Sequence, residues 1–174
     1  IVDYAQGEYD DALGNFVQAT ELNPEQAQAY PQVFRDLGDV YLELERYTAA
    51  IASYRGYVEI VTDDIGAYTS LGNSYFEIGY YDKAIESYEQ AAELGDVKFE
   101  TYEMLCWSYL EIGDYEESEE AFEQAIEIAP EIWANYYGLG IVSSRQEDYD
   151  DAIENYEAAI QLNPEHIEIY RDLS

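Results

Sequence analysis

Self-similarity at a fixed spacing constrains this chain more than any other feature. Leu37, Leu71, Leu105, Leu139 and Leu173 fall 34 residues apart, as do Tyr47, Tyr81, Tyr115 and Tyr149, and the pair Pro130 and Pro164. Tyr54, Tyr88, Phe122 and Tyr156 make a further aromatic column in the same phase. A phase held from residue 31 to the end marks a repeat array, in which each unit buries its apolar face only by stacking on the next. With 174 residues the chain is one domain or one unbroken array.

Inside each period the spacing is helical. Phe34, Leu37, Gly38 and Tyr41 follow an i, i+3, i+4, i+7 stripe, and Tyr68, Leu71, Gly72 and Tyr75 repeat it. A second stripe follows a short break, as in Ala84, Tyr88 and Ala91, or Ser118, Phe122 and Ala125. The breaks read GYYD (79–82), GDYE (113–116) and EDYD (147–150). Asp82, Glu116 and Asp150 then fall in a first helical turn, where the positive end of the helix dipole favours an acid. Second helices end near LNPE, LGDV, IAPE and LNPE, where Pro or Gly stops them. The expected unit is a pair of antiparallel helices of roughly 12–14 residues joined by a tight turn.

These columns carry a family resemblance. The segments FRDLGDVY…AAIASY, YTSLGNSY…KAIESY, YEMLCWSY…ESEEAF and YYGLGIVS…DAIENY are similar to the tetratricopeptide repeat, with its aromatic, Leu-Gly, Tyr, Ala, aromatic and Pro series. The resemblance covers essentially the whole chain. It implies an all-α, right-handed superhelical solenoid of antiparallel helix hairpins, with first helices lining a concave groove that binds peptides or protein segments, and no enzyme activity. In this phase residues 1–26 hold the latter part of a repeat, 27–30 are a four-residue insertion, and 31–64, 65–98, 99–132 and 133–166 are complete repeats. Residues 167–174 begin another. Neither end carries a polar capping helix, so a slice of a longer array is expected. Tyr57 stands where its counterparts are Ala19, Ala91, Ala125 and Ala159, so packing there should be wider.

Composition limits the partners. Thirty-nine Asp and Glu against seven Lys and Arg give a net charge of −32, which repels phosphate backbones and anionic lipid. Seven dispersed cations form no basic patch, so no nucleic-acid binding and no membrane insertion is expected; no apolar stretch approaches the ~18 residues of a span. The acidity has two readings, selection of a basic partner or adaptation to high salt. One cysteine forbids an intrachain disulfide, and the compartment stays open.

Chemistry-bearing residues are few. Cys106 occupies the column of Gly38, Gly72 and Gly140 and is expected to be a small buried thiol, with no histidine placed to activate it. His166 beside Pro164 is expected as a surface imidazole. One His and one Cys do not make a zinc site. The acidic clusters at 8–11, 116–120 and 147–151 begin helices and lack the D-x-[DN]-x-[DN]-G loop of a calcium site. No catalytic residue, metal or cofactor is expected.

By the resemblance, the groove face should carry Arg35, Asp39 and Leu42, then Thr69, Asn73, Phe76 and Glu77. Glu100, Glu103, Met104, Trp107, Leu110 and Glu111 follow, then Tyr137, Ile141, Ser144 and Arg145. Trp107 stands off the packing columns, as an aromatic anchor for a bound segment would, although a tryptophan packed on neighbouring helices is the plainer alternative. Arg35 and Asn73 loosely match the set with which some members grip a C-terminal carboxylate. No groove lysine completes it, and Glu77, Glu103 and Glu111 oppose an anion. The partner expected is an apolar or basic peptide or protein segment. Two further readings stay open: a homo-oligomer stacking through open ends, and an arm of a larger enzyme or secretion machine.

Overall fold

The computed structural model describes residues 30–95 and 98–172; the partial repeat expected over 1–26 and most of the 27–30 insertion lie outside them. The chain divides into two compact units, 1–95 and 96–174, each treated by itself.

In the first unit the helices are α1 (Gln32–Glu43), α2 (Tyr47–Val58), α3 (Ile65–Glu77) and α4 (Tyr81–Glu93). The second holds α5 (Phe99–Ile112), α6 (Tyr115–Ile128), α7 (Trp133–Arg145), α8 (Tyr149–Leu162) and a short α9 (Ile167–Asp172). No strand occurs among the described residues.

The turns show why the period survives. Each first helix ends in the same hydrogen bond from five residues back: Arg46 to the Tyr41 carbonyl (2.8 Å), Tyr80 to Tyr75 (2.9 Å), Asp114 to Tyr109 (3.0 Å) and Asp148 to Ser143 (2.9 Å). That closure needs a left-handed residue just before the donor. Gly79 and Gly113 supply it at φ 75° and 86°; Glu45 and Glu147 are forced into it at 54° and 66°. The expected acids then open the following helices, with Asp82, Glu116 and Asp150 in first turns.

Large rings pack against small partners. Tyr54 and Tyr88 are fully buried, and a Cβ at Gly38 or Gly72 would lie only 2.6 or 2.5 Å from their rings. Around Tyr54 gather Ala50, Ile51 and Leu71. The second unit varies the theme. Phe122 replaces tyrosine, Cys106 replaces glycine, and the ring tip lies against α7, where a Cβ at Gly138 would be 2.2 Å from it. Cys106, Ala121, Phe122, Ala125 and Val142 make that core. A further cluster of Ala152, Tyr156, Ala159 and Ile169 joins α8 to α9. Tyr149, in the same column as the half-buried Tyr115, is 61% exposed.

The extra bulk at Tyr57 has a specific answer. Its ring is buried, and its hydroxyl donates to Asp64 at 2.9 Å. Asp64 also caps α3 by accepting from the Ala67 amide at 3.0 Å and pairs with Arg35 at 2.9 Å. Where Tyr57 replaces the alanine of the other repeats, the Asp64 carboxylate therefore closes the repeat boundary.

Candidate functional site

The expected groove residues divide by what their neighbours demand of them. In the first unit, Asp39 accepts from the Tyr54 hydroxyl at 2.7 Å, and Asn73 accepts from Tyr88 at 2.8 Å. Both core tyrosines have raised pKa values, first because burial disfavours the phenolate, with Asp39 adding to it for Tyr54 and Glu77 for Tyr88. A buried phenol needs an acceptor, so these two residues serve the core as well as the surface. Arg35 is held by Asp64, and Thr69 bonds the Ile65 carbonyl at 3.0 Å. Phe76 stands edge-on to Tyr81 with centroids 5.3 Å apart. Glu77 is exposed. The phenol of Tyr47 is raised by partial desolvation and by Glu77.

In the second unit the same column carries Trp107 and Ile141, which accept no phenol proton. Trp107 is half-buried and stands perpendicular to Phe122, with centroids 5.5 Å apart, against the buried cluster around Cys106. It is therefore not clear of the packing, as its place off the repeat columns suggests; one edge is core and the other lines a cleft. That cleft of about 420 Å³ lies between α5 and α7 at the start of α6. Trp107, Leu110, Ile141 and Tyr115 contribute apolar walls, but polar groups, Glu111 and Arg145 among its lining residues, make up most of its accessible surface. Five expected groove residues thus meet: Trp107, Leu110, Glu111, Ile141 and Arg145. Glu103 and Met104 are half-buried on α5. Burial, with the nearby Glu100 carboxylate, pushes the Glu103 carboxyl up.

Tyr137 turns elsewhere. It lies 5.9 Å from Tyr156 and 6.1 Å from Trp133, in a group that includes His166. His166 is stacked on Trp133 at 4.2 Å rather than standing free on the surface. Its imidazole was readable as an aromatic only with the fold in hand, because Trp133 lies at the far end of the same repeat.

Burial raises the Cys106 thiol strongly and keeps it protonated. Among the described residues no group of three or more His, Cys, Asp or Glu side chains is arranged to hold a metal, and no helix is long and apolar enough to cross a membrane.

Two family models, both described as tetratricopeptide repeat, match residues 1–65 with 103–167, and residues 63–131. No curated protein matches the chain. Among solved structures, MamA is similar with a TM-score of 0.82 and 24% identity, over 92% of this chain and 86% of that one. MamA from Desulfovibrio magneticus RS-1 gives 0.73 and 19%, over 92% and 96%. A tetratricopeptide repeat protein from Parabacteroides merdae gives 0.80 and 18%, over 98% of this chain and 66% of that one. Likeness at such identities is likeness of fold.

Proposed function

The chain belongs to the tetratricopeptide-repeat family, and we propose that it works as a protein-interaction scaffold whose first helices hold an apolar or basic peptide segment. Proteins of this fold are generally non-catalytic scaffolds, and the chain's chemistry fits that use. The observation that carries the finer reading is the cleft between α5 and α7. Trp107, Leu110 and Ile141 offer an apolar floor large enough for one or two side chains, beside the exposed Glu111. An apolar side chain enters there and gains burial against the indole. A cation beside it meets Glu111, with Arg145 opposing it at the same edge, and is drawn more broadly by the net charge of −32.

Two tryptophans make the test direct: Trp133→Phe leaves Trp107 as the single reporter. A peptide of alternating Leu and Lys should change its emission saturably, and a Leu–Glu peptide of equal length should not. Glu111 is exposed, so Glu111→Lys should weaken the basic peptide about tenfold while leaving the thermal melt in place. Equal response to both peptides, or no effect of Glu111→Lys, contradicts the reading.

A further inference from the structure

A second cleft, in the first unit, carries two cations and one carboxylate at its rim. It measures about 380 Å³ and opens between the second helices α2 and α4, over one side of α3. Its floor is Val58, Tyr68, Leu71 and Tyr75; Arg55, Lys83 and Glu86 stand over it with Ser87 and Gln90. The side of α3 used is not the one carrying Thr69, Asn73, Phe76 and Glu77, so no residue is shared with the groove face.

Two of seven cations converge here, in a chain with 39 carboxylates. Spaced 28 residues apart and off the repeat period, Arg55 and Lys83 look dispersed in sequence; the fold makes them neighbours of one cleft. Arg55 is exposed and forms no side-chain hydrogen bond or ion pair among the described residues. Lys83 gives its ammonium to Glu86 at 2.6 Å, an exposed pair worth little in water and readily exchanged for another carboxylate. The Ser87 hydroxyl is already used on the Lys83 carbonyl, and the Gln90 amide nitrogen on Glu93. Once a ligand carboxylate takes the place of Glu86 on Lys83, the open polar capacity of the cleft is mostly cationic donors above an apolar floor.

We propose that this cleft binds an acidic segment of a partner protein, seating one apolar side chain on Leu71 and Tyr75 and an adjacent carboxylate on Arg55 and Lys83. The guanidinium fork suits a carboxylate bidentately, and the lysine adds a mobile point charge. A polyanion such as nucleic acid is a poorer occupant, because two cations do not offset the repulsion from the rest of the surface. The scaffold then takes segments of opposite charge at two clefts, one in each unit.

The test uses the full chain, isotopically labelled, titrated at ~0.15 M salt with an acetylated, amidated peptide of alternating Glu and Leu. Saturable amide shifts should centre on Val58, Leu71 and residues 83–90. Arg55→Gln and Lys83→Gln should each weaken binding about tenfold with unchanged melts, since both side chains are exposed. Glu86→Gln, which frees the lysine, should tighten it. The Gln–Leu isostere should bind more weakly than the acidic peptide. Absence of saturable shifts, shifts confined to α5–α7, or Arg55→Gln binding at full strength overturns the proposal. Absent shifts, or Arg55→Gln binding at full strength, leave the basic-peptide titration of Trp107 untouched, so the two readings fail separately; only shifts confined to α5–α7 count against both.

Discussion

Asp64 is the place where one substitution should report most about how the first unit holds together. Its carboxylate caps α3 through the Ala67 amide (3.0 Å), accepts from the buried Tyr57 hydroxyl (2.9 Å) and pairs with Arg35 (2.9 Å). Asp64→Ala removes all three. Loss of the cap costs ~1 kcal/mol, and a buried phenol left without its acceptor ~1–3 kcal/mol. The Arg35 pair, more than a third exposed on the arginine side, adds no more than about 0.5 kcal/mol. The expected total is about 3 kcal/mol. Asp64→Asn keeps a good cap and a carbonyl for Tyr57, so it should cost about 1 kcal/mol or less. Repeat arrays need not unfold all at once, so urea melts should be read beside hydrogen exchange of amides 47–77. A double-mutant cycle of Asp64→Ala with Tyr57→Phe should show coupling of about 1 kcal/mol or more. Equal loss in Asp64→Ala and Asp64→Asn, or zero coupling, would mean that the three contacts do not act as described.

Other outcomes follow from single features. Glu45→Gly and Glu147→Gly should each raise stability by about 1 kcal/mol in urea melts, because a glycine adopts the left-handed turn freely. Asn135 is fully buried, and its amide finds no partner among the described residues; its column mates are Ala67 and Thr101. Asn135→Thr should therefore raise the urea midpoint, by about 1 kcal/mol in stability. Glu103 has a raised pKa from burial and from Glu100, so the native state holds its proton more tightly than the unfolded chain. Its contribution is full below the ordinary carboxylate value of ~4.3 and is lost as pH rises through the raised native value, so stability should fall across that window. Glu103→Gln should flatten that part of the pH profile in thermal melts.

What was legible in sequence was whatever repeats. Helix boundaries, first-turn acids and the Gly–aromatic packing recur with the period, and each has a local cause that one line of residues displays. The left-handed turn was half visible: Gly79 and Gly113 announce it, whereas Glu45 and Glu147 hide the same geometry under a charged residue. The tyrosine hydroxyls were the larger omission. Tyr54 and Tyr88 read as apolar filling, yet each has its acceptor 15 residues earlier, at Asp39 and Asn73. That pairing repeats in sequence and was open to a reading that treats a buried phenol as a donor. Where Phe122 lacks the hydroxyl, its partner position holds Trp107, an edge-to-face contact instead. The meeting of Arg55 and Lys83 was hidden, because residues on different helices and off the period come together only through packing.

The central claim, that the first helices form the binding face for basic or apolar segments, is tested most directly by mapping where such a segment lies. Amide shifts and exchange protection should be recorded on the full chain saturated with the Leu–Lys peptide. The account predicts changes concentrated in α5 and α7, at Trp107, Glu111 and Ile141, with Val58 and residues 83–90 unmoved. Changes centred on the second helices α2, α4, α6 and α8, with Trp107 unmoved, would contradict it.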